Sequence, residues 1–145
     1  MGFTEAYAQV RTELETLFSS YNEVDNPYSD AELGNLNVRA SFGISIGSGV
    51  NVTRSTCSRA DIEREFNIIL YRRINAIRND TATRITAEKK LFEDQTLIIK
   101  RFEVKIPNVT RARYISDSGV EFLNGDRYNY MKLSSNFLVE YSENL

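Results

Sequence analysis

Asp61, Glu63 and Glu65 alternate along a short segment, which puts the three carboxylates on one face of an extended strand. Oxygen ligands so placed could hold a divalent cation. Arg59, Arg64, Arg72 and Arg73 lie close by and offer simpler partners, so the reading here is charge pairing, with no metal site. Gly43-Ile44-Ser45-Ile46-Gly47-Ser48-Gly49 is rich in glycine but lacks the lysine and the following helix of a phosphate loop. It reads as a strand with a bend. Cys57 has Arg54 and Arg59 beside it, which could lower its pKa, but the chain has no histidine to serve as its base. The lack of histidine also rules out a Ser–His–Asp triad and a histidine-bound zinc within this chain. A single cysteine excludes an internal disulfide and any multi-thiolate metal site, and it suits a reducing compartment. The expectation is a chain without a catalytic set, cofactor site or metal site.

The whole sequence must then be asked what it builds. Its 145 residues suit one domain over 1–145, and 41% hydrophobic with 26% charged residues is an ordinary globular balance that argues against disorder. The first residues turn polar and acidic at once, unlike a signal peptide, and no apolar run approaches 18 residues, so no membrane partner is expected. Three Asn-x-Thr matches, at Asn51, Asn79 and Asn108, read as chance without an export signal.

Periodicity gives the elements. Tyr7, Val10, Leu14, Leu17 and Phe18 trace one stripe of an amphipathic helix. Thr4 is placed at its N-cap, Glu5 in its first turn, and Gln9, Arg11, Glu13 and Glu15 in water. Turn formers over 22–35, with Pro27, predict a loop. From Val38 the period becomes two through Ile46, and Val50–Arg54 extends that strand beyond a bend. A second strand is predicted over Ile62–Arg73, with Phe66, Ile68 and Leu70 on one face and Ile69 and Tyr71 on the other.

A second helix follows over Thr83–Phe102, ended by Pro107. Ile85, Glu88, Leu91, Phe92, Gln95, Ile98, Ile99 and Phe102 form its stripe, while Lys89, Lys90, Glu93, Asp94, Lys100 and Arg101 face away. Two more strands, Arg113–Leu123 and Arg127–Tyr141, flank an Asn124-Gly125 turn, with Gly119 marking a bulge or break. Met131, Leu133, Ser135, Phe137, Val139 and Tyr141 share a face. The order predicts an α+β fold: a mostly antiparallel sheet of four strands or slightly more, with two helices packed on one face.

Two features point outward. The 48–61 connection is polar, basic and long for a hairpin, and it reads as an arm that reaches a neighbouring molecule. Val50, Asn51, Val52, Thr53, Arg54 and Arg59 are its candidate subunit-interface residues. Charge is also segregated: residues 1–53 carry a net −5, residues 54–113 a net +6 and residues 114–145 a net −3. Complementary flanks of neighbouring subunits would use that gradient. A nucleic-acid-binding module is the alternative, but Lys89-Lys90 and Lys100-Arg101 are interleaved with Glu88, Glu93, Asp94 and Glu103, where phosphate recognition wants an unbroken positive stripe.

The element order and its punctuation resemble the lambda-type tail terminator proteins of tailed bacteriophages and their minor tail relatives. The likeness spans most of the chain and is one of pattern: the helix Thr4–Ser20, the Asn26-Pro27 loop, the strand Leu36–Ile46, a polar excursion, the strand Glu65–Arg73 and the second helix. Its most specific part is the ending, Ser116–Phe122, the polar turn Asn124-Gly125-Asp126, and a last strand Leu133–Tyr141 that closes on a tyrosine. The resemblance implies a structural virion protein in the tail or neck. Such a protein forms a homo-oligomeric ring, usually of six subunits, that ends the tail tube and joins it to the head-side connector. The implied partners are the tail tube protein and the connector or neck protein, with DNA only passing through the lumen. Other neck or minor tail components share the pattern. The resemblance implies no cofactor and transfers no residues.

Overall fold

The computed structural model describes residues 2–23, 40–56, 58–74, 81–124 and 129–144. Two helices, α1 (Phe3–Leu17) and α2 (Thr81–Phe102), accompany five strands: β1 (Asn22–Glu23), β2 (Ala40–Thr56), β3 (Arg59–Ile74), β4 (Arg111–Asn124) and β5 (Asn129–Asn144). The sheet order is β1-β2-β3-β5-β4. Every pairing is antiparallel except that of short β1, which runs parallel to β2 at Ser41 and Phe42. This is the α+β architecture that the alternation of apolar residues predicts.

One face of the sheet carries both helices. Phe42, Ile44, Phe66, Ile68, Leu70, Leu133, Phe137 and Val139 point to that side and pack with Ala6, Val10 and Leu14 of α1 and Leu91, Ile98 and Phe102 of α2. Rings dominate the contact: Phe137 meets Phe102 edge-on at 5.2 Å, and Phe3 touches both Phe66 and Tyr141. Ile69, Tyr71 and Tyr130 cluster on the opposite face, with Leu123 against them. Period-two reading had already put Ile69 and Tyr71 there.

The cap of α1 differs from expectation. Thr4 lies inside the helix, and Gly2 is the N-cap. The free amides of the first turn are met by carboxylates: Gly2 donates to Glu5 at 2.9 Å and Phe3 to Glu143 of β5 at 2.8 Å. The amides of Glu5 itself and of Gly2 hold the Glu5 carboxyl below its ordinary value. The sheet thus supplies the cap that local sequence was expected to supply.

Two residues assigned to water, Glu13 and Asp94, are buried. Glu13 of α1 accepts two hydrogen bonds from Arg101 of α2, at 2.6 and 2.9 Å, in a fork that joins the helices. Asp94 of α2 sits beneath Arg72 of β3 and Tyr21: the Tyr21 hydroxyl donates to Asp94 at 2.8 Å and accepts from Arg72 at 2.7 Å. Burial keeps the Asp94 carboxyl above its usual value despite those donors and the Arg72 charge. Burial, with the Asp94 bond, also pushes the Tyr21 hydroxyl up to about 12, so it stays a neutral donor. Conversely, Ile85 and Phe92, assigned to the stripe, are more than 40% exposed. The true inward stripe runs Ala87, Leu91, Asp94, Gln95, Ile98 and Phe102.

Candidate assembly surface

The largest correction falls on the 48–61 connection. It is no loop. β2 continues to Thr56 and β3 begins at Arg59, so the segment forms the outer half of a long hairpin paired from Ala40↔Arg72 to Thr56↔Arg59. Irregular register at Ile46/Gly49, Gly49/Asn51 and Arg54/Thr56 explains the misreading, because bulges break the alternation on which strand reading depends. The bend predicted at Gly47–Gly49 is real and is the first of these irregularities.

These strands are long. β2, β3 and β5 have 17, 16 and 16 residues, where about 5–6 is usual. Sixteen extended residues reach roughly 50 Å, against about 33 Å for a 22-residue helix, so the sheet outruns its covering helix. β3 lies inside the sheet for its whole length, between β2 and β5. β2 and β4 bound the sheet. Beyond the two residues paired with β1, the outer side of β2 from Gly43 to Thr56 meets no described strand, and the outer side of β4 meets none either.

Both borders expose apolar side chains in or beside a stretch of regular pairing. On β2, Asn51–Arg54 is an unbroken stretch, and Val52 is 67% exposed, with Val50 just before it 49% exposed. On β4, Arg111–Tyr114 is unbroken, and Tyr114 and Ile115 are exposed at its end. Ranks of backbone donors and acceptors lie along such borders and pair readily with another chain.

Of the candidate interface residues, Val50, Asn51, Val52, Thr53 and Arg54 therefore lie together on one free border. Arg59 does not. It starts the interior strand β3, bonded to Asp61 at 3.3 and 3.2 Å and to Ser142 at 2.9 Å. Tyr114 and Ile115, on the opposite border, are absent from the sequence-derived set. The signal for them was weak, since Tyr114-Ile115-Ser116 crosses a bulge where alternation fails.

Charges along β4 are locally balanced. Arg111 reaches Glu63 at 3.3 Å and Glu140 at 3.6 Å, and Arg113 reaches Glu63 at 3.8 Å. Glu63 thus pairs across the sheet with both arginines of β4. Among the described residues no group of three or more Asp, Glu, His or Cys is placed to hold a metal ion. No described helix is long and apolar enough to cross a membrane. Cys57 and the Asn124-Gly125 turn lie outside the described positions, apart from the backbone of Asn124.

A second bulge on β4 fixes its shape. Gly119, at φ 74°, takes the left-handed turn that a side chain would strain. The Asp117 carboxylate accepts from Tyr114 at 2.6 Å, Gln95 at 3.1 Å and the Gly119 amide at 2.8 Å. The Tyr114 hydroxyl, then Gln95 and the Gly119 amide, hold the Asp117 carboxyl below its usual value. A depressed carboxyl binds fewer protons folded than unfolded, so its stabilisation is whole above about pH 4 and drains as pH falls further. Asp117→Asn should therefore lower the melting temperature near neutral pH, and the gap from wild type should close toward about pH 3. Thermal unfolding followed at both pH values checks this. A gap that widens in acid would contradict the assignment.

Comparison with protein-family models finds none that matches the chain, and comparison with curated proteins finds no significant relative.

Proposed function

We propose that this chain is a structural subunit that assembles head-to-tail with copies of itself, and that the assembly is the ring of a bacteriophage tail terminator. The observation supporting this is the pair of borders, β2 beyond Phe42 and β4, that meet no further strand among the described residues at opposite sides of one long sheet. A border of one kind joined to a border of the other is a heterologous contact. Such contacts repeat from copy to copy and close into a ring when the rotation permits. The tail reading adds the match in element order and in the tyrosine-ended last strand. It asks no chemistry of the chain, names the tail tube protein and the head-side connector as neighbours, and places the protein in the virion.

Size-exclusion chromatography with light scattering is the direct test, followed by end-on electron microscopy. The expected result is a discrete species of about six subunits with a central hole, formed by the protein alone or on the end of a tail tube. A monomer at every concentration, with or without tube protein, would refute the proposal.

A further inference from the structure

A cavity of about 440 Å³ opens between the end of β3 and the first turns of α2. Arg72 and Arg73 line it from the strand, and Lys89 and Lys90 from the helix, with Thr86 and a single carboxylate, Glu93. The volume is within the range of small-ligand sites. Arg72 is held from below by the Tyr21 hydroxyl and by Asp94 at 3.7 Å, so its position is fixed before any ligand arrives. Its Nε is buried and has no acceptor among the described residues. Lys90 is shared with Glu93 at 3.6 Å and Asp94 at 4.0 Å, while Lys89 is exposed and has no described partner.

We infer that this cavity binds a phosphate group. Among the described lining residues, Arg72, Lys89 and Lys90 outnumber the carboxylates, Glu93 at the rim and Asp94 buried beneath, a balance that suits an anion. Arginine forks and lysine ammoniums drawn from two different elements are the usual means of gripping phosphate oxygens. This site does not depend on the ring reading, since isolated chains should bind whatever their state of assembly.

Two probes separate the sources of such a group: inorganic triphosphate by titration calorimetry, and a short DNA duplex by fluorescence anisotropy, both at low salt. Saturable triphosphate binding would indicate a free phosphate ligand. Binding of the duplex alone, weakening steeply with salt, would indicate a nucleic-acid backbone. Lys89→Gln with Lys90→Gln should weaken binding at least about tenfold, and Glu93→Gln should tighten it several-fold. Opposite shifts from two surface changes cannot come from unfolding. Failure of both probes to bind, or binding that neither variant moves, would overturn the inference.

Discussion

Val52→Lys combined with Ile115→Lys is expected to convert the assembled species to monomers while leaving the fold intact. Both side chains project from sheet borders and are 67% and 44% exposed, so the folded monomer loses little packing by the change. In a joined sheet each lysine would have to leave water, or lie along a neighbouring strand at a cost in both desolvation and repulsion. Lysine on outer strands is a common natural means of preventing edge-to-edge association. Each replacement alone should weaken assembly about tenfold or more, and the pair should abolish it at micromolar concentration. The melting temperature of the monomer should stay within about 2 °C of wild type. Sedimentation velocity and circular dichroism on the same samples separate the two effects. Rings that survive the double change would place the contact elsewhere on the molecule.

Phe137→Ala should be the most destabilising of the single changes considered. Its ring is fully buried at the centre of the sheet, between Phe102 of α2 and Tyr114 of β4, and its strand partner on β3 is Phe66. Removing it takes away one side of two ring pairs and leaves a void that the long strands cannot collapse to fill. The expected cost is about 3–5 kcal/mol, or a fall of roughly 10–15 °C in melting temperature. Phe92→Ala on the same helix face as Ile85 is the matched control. That ring is 42% exposed, and its loss should cost less than about 1 kcal/mol. Urea unfolding of both variants gives the comparison. Equal losses would mean that the inward stripe of α2 is wrongly placed.

Much of the sheet was legible because its side chains alternate cleanly. Met131, Leu133, Ser135, Phe137, Val139 and Tyr141 all face the helices as their spacing required, with Ser135 accepted into the core through a hydrogen bond from Gln95 at 2.8 Å. The errors have a common origin. Glu13 lies three residues after Val10, and Asp94 three after Leu91, so both occupy inward positions by spacing. Their charge suggested water, but each has a cation from a distant element, Arg101 or Arg72, that local sequence does not reveal. Spacing was the better guide, and the partner explained the exception.

The outer hairpin shows the opposite failure. Ser, Thr and Gly over 48–56, with three irregularities in register, leave the strand legible only over Val50–Arg54. The candidate interface residues, Arg59 apart, fall together on the outer half of β2. What sequence could not supply was the opposite border, because β4 becomes an outer strand only when β5 inserts between it and β3. That insertion is a property of topology and leaves no trace in the local pattern of either strand. The same holds for the cavity, whose two basic pairs are sixteen residues apart along the chain and meet only in the fold.

Whether neighbouring copies join β2 to β4 is best read by thiol cross-linking in a Cys57→Ser background. Val52→Cys and Ile115→Cys proteins would be prepared separately, then mixed, allowed to assemble and treated with a short bis-maleimide. Strand β2 of one copy lying beside β4 of the next predicts linked dimers in the mixture and almost none in either protein alone. Dimers formed by Val52→Cys protein alone would mean a symmetric contact in its place, and no linkage in any sample would mean that these borders never meet.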